Sequence, residues 1–284
     1  MDQRGRSNTK LSPSKVLQIV WHWICGHTGE QTARLTGIQP NTVGDWFNFC
    51  REVCQIANRR SWDVHKLGDG LGRIFPEEMP MIVIQADESL LRGKRKYNRG
   101  RMLLGDGGIP VEDRAAAREI AQELDIVLPR RGNYNNRVQG PWIVGLALCV
   151  REDECYKTRE VRLFHVPDRR TETLNAIFEA NVQENTLVWT DGWAGYGQLG
   201  RHFAHETVIH DNEFVSAAGV HTQNIERAWE SLKLYLIRNK RGTSPATLDS
   251  YLAEFSYRSC APKDEFDFFN LFINDASTCF PIEW

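Results

Sequence analysis

The chain has 284 residues, 41% hydrophobic and 25% charged, with 35 Lys/Arg against 37 Asp/Glu and a net charge of −2. These values exclude a disordered chain, a fibre and a collagen-like repeat, and they fit one large domain or a large one with a small one. No stretch approaches the roughly 20 apolar residues of a membrane span, and the polar opening MDQRGRSNTK lacks the apolar segment of a secretory signal.

The near-neutral total hides an uneven distribution. Residues 1–76 carry ten Lys/Arg against six Asp/Glu, and RGKRKYNRGR (92–101) carries six basic residues and no acid. The last stretch, 259–284, carries one Lys against five acids and reads as an acidic tail. Basic patches of this kind can track phosphates. The seven cysteines are odd in number and irregular in spacing, which suits reduced thiols. Cys25, His27, Cys50 and Cys54 lack the knuckle spacing of a zinc ribbon or finger, so no zinc site is assigned to them.

In chain order, Ser12-Pro13 opens a first helix through Val16, Ile19, Val20 and Trp23, with Pro in the tolerant first turn. GEQTARLTGIQPNTVGDWFNFCREVC (29–54) predicts a short helix, a turn at Gly37, and a longer helix capped by Asn41. Ile38, Val43, Trp46 and Phe47 would close a small core. This is a helix-turn-helix pattern, in which the helix starting at Asn41 and Thr42 is the recognition helix; an ordinary helical hairpin is the plain alternative. Residues 59–80 read as a linker, so a DNA-binding domain is expected over 1–76.

From residue 81 the pattern changes to α/β. Apolar strands are expected at MIVIQADES, at PWIVGLALCV (141–150), at REVRLFHV (159–166), at NTLVWTDGW (185–193) and at HETVIH (205–210). Helices are expected at 169–182, 221–240 and 244–258. The layout is a mixed sheet flanked by helices over 77–258. Residues 103–136 form an insertion with a helix-forming stretch at 111–124.

Asp87 and Asp191 each end an apolar strand, which can set two carboxylates side by side at one sheet edge. Such a pair repels unless a cation lies between, and hard oxygen donors suit Mg²⁺ or Mn²⁺. Glu226 follows on a helix whose apolar stripe is Ile225, Trp229 and Leu232. Between Asp87 and Asp191 lie 103 residues, and between Asp191 and Glu226 lie 34. Glu88, next on the strand, points to the opposite face.

With ADESLLRGKRKYNRGR (86–101), GPWIVGLA (140–147), TDGWAGY (190–196), IHDNEFV (209–215) and GVHTQNIERAWESLK (219–233), the chain resembles the DDE transposases of the Merlin superfamily and its bacterial insertion-sequence relatives. The resemblance spans roughly 81–258 and implies a ribonuclease-H-like fold. It implies two Mg²⁺ (or Mn²⁺) ions held by Asp87, Asp191 and Glu226. It also implies cleavage of double-stranded DNA at transposon terminal repeats, and attack of the freed 3′-OH on target DNA (cut-and-paste). Bacterial relatives commonly begin with a zinc ribbon, and here a helix-turn-helix stands in its place. Arg92, Lys94, Arg95, Lys96, Arg99 and Arg101 are candidate phosphate contacts, as is Lys233, two helical turns after Glu226. His221 is a candidate for orienting DNA or capping its helix. Trp193 and Trp229 read as core residues rather than base-stacking ones. Work on paired ends implies a homodimer, with no membrane partner. The basic run can serve as a nuclear import signal, giving a nuclear location in a eukaryote and a cytoplasmic one otherwise. Two rivals remain at this point: a domesticated non-catalytic DNA-binding protein, and a two-metal endonuclease of the same fold.

Overall fold

In the computed structural model, residues 10–72, 78–91, 141–208, 220–236, 243 and 245–281 are described. The basic run 92–101, the insertion 103–136, IHDNEFV and the C-terminal part of the helix expected over 221–240 lie outside them. Two compact units form: Met1–His65 with Ser250–Trp284, and Lys66–Asp249.

The first unit is helical. Helix α1 (Pro13–Ile24) starts at Ser12, whose side chain accepts from the Lys15 N–H. Helix α2 (Gly29–Thr36) carries a reciprocal capping box between Thr28 and Gln31 and ends at Gly37, with φ of 69°. Helix α3 (Pro40–Val64) then runs for 25 residues, well into the stretch expected as linker. Its N-cap is Gln39, not Asn41. Pro40 takes the first helical position, where its missing N–H costs nothing, so Asn41 falls inside the first turn.

The C-terminal stretch is not a loose tail. Helix α6 (Pro245–Cys260), within which the two units divide, is followed by α7 (Glu265–Cys279), capped by Asp264. Phe268 and Phe272 of α7 and Tyr257 of α6 join Ile19, Trp23, Val43 and Phe47 in one core, with the Trp23 and Phe272 rings 4.9 Å apart. Arg258 donates to the carbonyls of Trp23 (2.6 Å) and Ile24 (3.1 Å) at the end of α1, and its guanidinium lies 4.2 Å over the Trp23 ring. A cation on the last carbonyls of a helix is favourable both as a hydrogen-bond donor and against the helix dipole. Asp264, Glu265 and Asp267 at the start of α7 are exposed, whereas Asp275 is half-buried and accepts from the Tyr257 hydroxyl at 2.6 Å.

The second unit is a five-stranded sheet in the order β3-β2-β1-β4-β5: β1 (Ile82–Leu90), β2 (Trp142–Glu152), β3 (Cys155–Val166), β4 (Leu187–Asp191) and β5 (Ala204–Val208). Strands β1, β2 and β3 run antiparallel, and β4 and β5 continue parallel to β1. Strand β3 begins earlier than its alternating pattern suggested, because a tight turn at Asp153 and Glu154, both with positive φ, leads straight into it. Helix α4 (Thr171–Asn181) covers one face of the sheet through Leu174 and Phe178, packed on Ile84, Ala86, Val144 and Leu146. Helix α5 (Gln223–Leu234) buries Ile225, Trp229 and Leu232. This unit is the mixed sheet flanked by helices that the sequence predicts. Among the described residues no helix is long and apolar enough to cross a membrane.

Candidate active site

Strands β1 and β4 pair in parallel, with Ile84 opposite Val188 and Gln85 opposite Trp189. Two residues further along each strand stand Asp87 and Asp191. Residues paired across a sheet share a face, so both carboxylates belong to the face of Gln85 and Trp189. Helix α5 packs on that face. The fully buried Gln85 accepts through Oε1 from the N–H groups of Asn224 (2.8 Å) and Ile225 (3.3 Å), satisfying two first-turn donors of α5. The Trp229 indole donates to Asp87 Oδ2 at 2.9 Å. Gly145, opposite Asp87 on β2, leaves room for this contact. A Cβ there would meet Trp229 and Ile225 at 2.8 Å.

Burial pushes the Asp87 carboxyl up to about 6. The Glu88 backbone N–H and the Trp229 indole pull the other way, and the charges of Asp191 and Glu226 add to the rise. The charges of Asp191 and Glu226 thus both reach Asp87. Asp191 Oδ1 accepts from the Trp193 N–H at 3.0 Å. Glu226, itself exposed in the first turn of α5, accepts from the Thr222 hydroxyl at 3.0 Å. Among the described residues no group of three His, Cys, Asp or Glu side chains is close enough to hold a metal ion. The donor chemistry nonetheless suits a hard divalent cation: oxygen ligands only, and a carboxylate raised first by burial and then by the charges of two further acids.

Glu88 faces the other way, as strand alternation requires. Burial, then the charges of Asp87 and Asp191, push it up to about 7, with Arg169 opposing. Trp229 is in the core, as expected, but its N–H also serves Asp87. Trp193 departs from the core reading. It is 41% exposed, and the Arg169 guanidinium lies 4.2 Å over its ring. The turn after Asp191 carries it out of the sheet.

His221 does not cap α5; the N-cap is Thr222. The His221 ring packs instead 5.4 Å from that of Trp189 and 5.7 Å from that of Tyr156, and burial lowers its pKa. Lys233 is exposed on α5, seven residues beyond Glu226. Asn41 is exposed and Thr42 half-buried at the start of α3. Arg92, Lys94, Arg95, Lys96, Arg99 and Arg101 lie outside the described residues. Cys50 and Cys54 are fully buried in the helical core, where burial pushes both thiols upward. Reading the sequence missed Gln85, although one polar residue inside MIVIQADES was a visible signal. It also missed Arg169, whose partners are set by tertiary packing.

Residues 131–259 match the family model of the ISXO2-like transposase domain. The match supports a DDE transposase family. It contains Asp191 and Glu226 and leaves Asp87 outside, on the strand that pairs with the one ending in Asp191. No curated protein and no solved structure matches the chain.

Proposed function

We propose that this protein is a DNA transposase that cleaves transposon ends and joins them to target DNA, with Asp87, Asp191 and Glu226 as its catalytic acids. The observation that carries the reading is the register of β1 and β4. It pairs Gln85 with Trp189, two residues before Asp87 and Asp191, on the face against which the helix bearing Glu226 packs, and residues 131–259 match a transposase domain. Bound Mg²⁺ or Mn²⁺ would supply Lewis-acid activation of the attacking oxygen and stabilisation of the leaving 3′ oxygen. The protein's own contribution is positional. Gln85 fixes the start of α5 and therefore Glu226, Trp229 orients the Asp87 carboxylate, and the Trp193 N–H orients that of Asp191.

The finer reading is a Merlin-type enzyme, supported by the five motifs quoted above. In this reading α2 and α3 form a helix-turn-helix with Asn41 and Thr42 at the DNA. The basic residues of 92–101, His221 and Lys233 serve as further DNA contacts. Two copies pair to hold two ends, and the enzyme works in the nucleus of a eukaryote or otherwise in the cytoplasm. Asn41→Ala with Thr42→Ala tests the first of these. Sequence-specific end binding should fall while helical content stays, and unchanged specificity would remove the recognition role.

The deciding experiment is cleavage and joining of a labelled duplex carrying transposon ends, wild type beside Asp191→Asn, with Mg²⁺, Mn²⁺ or EDTA. Joined product that needs both metal and Asp191 supports the transposase. Cleavage without joining makes it an endonuclease of the same fold, and binding with neither makes it a domesticated DNA-binding protein.

A further inference from the structure

On the Glu88 side of the sheet, beyond the strand ends, lies a cleft of about 560 Å³ lined by Trp142, Pro167, Arg169, Arg170, Trp193 and Gly195, among others. Its floor is a stack. The Arg169 guanidinium sits 3.8 Å from the centroid of Trp142 and 4.2 Å from that of Trp193. Those are stacking distances for flat groups, and the outer member, Trp193, remains 41% exposed. A large aromatic left half in water is informative where it adjoins a cleft and a planar cation.

The charges around the cleft favour a flat uncharged ring over a phosphate. Arg169 and Arg170 are offset by Asp168 and Glu172. Asp168 Oδ1 already accepts from the Thr173 hydroxyl (2.7 Å) and the Arg170 N–H (3.0 Å), so a carboxylate sits at the start of α4 where an anion would otherwise bind. The cleft is also tied to the acids. The N–H of Trp193 holds Asp191 Oδ1, while its side chain forms the wall of the stack.

We infer that this cleft receives an unpaired nucleobase of the DNA strand next to the bond being cut, stacked on the exposed face of Trp193, which the Arg169 guanidinium backs from the other side. The inference rests on the transposase reading for its substrate. Stacking on an aromatic tolerates any base and is sensitive to loss of the ring. A base held there keeps the adjoining backbone beside Asp191 and makes local strand opening part of substrate recognition.

The test is equilibrium binding of three fluorescent probes: a short oligothymidylate, a blunt duplex, and the same duplex with a single-stranded overhang. Wild type is compared with Trp193→Ala, Trp193→Phe and Arg169→Lys. Trp193→Ala should weaken the oligothymidylate and the overhang duplex roughly tenfold, leave the blunt duplex within about twofold, and be largely rescued in Trp193→Phe, which keeps a stacking face. Arg169→Lys keeps the charge and loses the plane, so it should fall with Trp193→Ala. Equal loss on all three probes, or no loss with either variant, overturns the inference. Cleavage assays on the same preparations separate the two proposals. Metal-dependent cleavage with Trp193-independent binding removes only the base pocket, and Trp193-dependent binding without any cleavage removes only the transposase.

Discussion

Asp87 and Glu88 are neighbours on one strand and sit in opposite surroundings. Asp87 meets an indole N–H, a second aspartate abreast of it and a glutamate from α5. Glu88 meets Arg169 and the approach to an aromatic cleft. Both carboxyls are raised by burial and by shared negative charge, so electrostatics alone cannot tell an acid suited to a cation from one that lines a wall. The difference lies in which face each side chain takes, and β-strand alternation decides that.

The largest effect should separate the two acids outright. Asp87→Asn is expected to lower metal-dependent cleavage by roughly a thousandfold or more, whereas Glu88→Gln stays within about tenfold. Single-turnover cleavage of labelled ends checks this, and equal losses would mean that both faces take part. Asp191→Asn and Glu226→Gln should follow Asp87→Asn while leaving end binding largely intact.

Next in size is Gly145→Ala. Its Cβ would collide with Trp229 and Ile225, an overpacking that costs about 1–3 kcal/mol and displaces the indole from Asp87. Urea unfolding measures the stability loss, and cleavage should fall with it. An Ala variant of wild-type stability and activity would show that α5 can shift freely.

A smaller effect concerns pH. The Asp87 carboxyl has an ordinary value of 3.8 and lies at about 6 in the fold, so the folded state binds the extra proton between these values. Metal-free protein should therefore lose stability as pH rises from about 4 to about 6, by about 3 kcal/mol from this group. Glu88 extends the fall towards 7. Asp87→Asn should flatten the first part of the profile, and added Mg²⁺ should raise stability near neutral pH in wild type more than in the variant. Thermal melts across that range test both; a flat wild-type profile would mean that the carboxyl is better solvated than its burial indicates.

Much of the plan was legible in the chain. Apolar runs such as MIVIQA and TLVWT marked β1 and β4; β4 ends in Asp191 as expected, whereas β1 runs three residues past Asp87 to Leu90. The 3.6-residue stripe of Ile225, Trp229 and Leu232 marked α5. Local periodicity carried these readings because a strand or helix must present one apolar face to its core. Three features could not be read this way. Asn41 has the residue type of a cap, but Pro40 before it takes the first helical position and moves the cap to Gln39. The acidic stretch 259–284 looked like a tail because its acids dominate composition, while Phe268 and Phe272 supply the burial. Trp193 looked like core because tryptophan usually is.

By itself, the sequence determined the element types, the α/β character of the second unit and the three candidate acids, since hydrophobic spacing and strand-end residues are local properties. Only the tertiary structure decided that Asp87 stands abreast of Asp191, that Trp229 serves Asp87, that Arg169 lies between two tryptophans, and that both chain ends build one helical core. Each of these joins residues far apart in the chain. Sheet register and side-chain packing fix such pairings, and no local spacing carries that information.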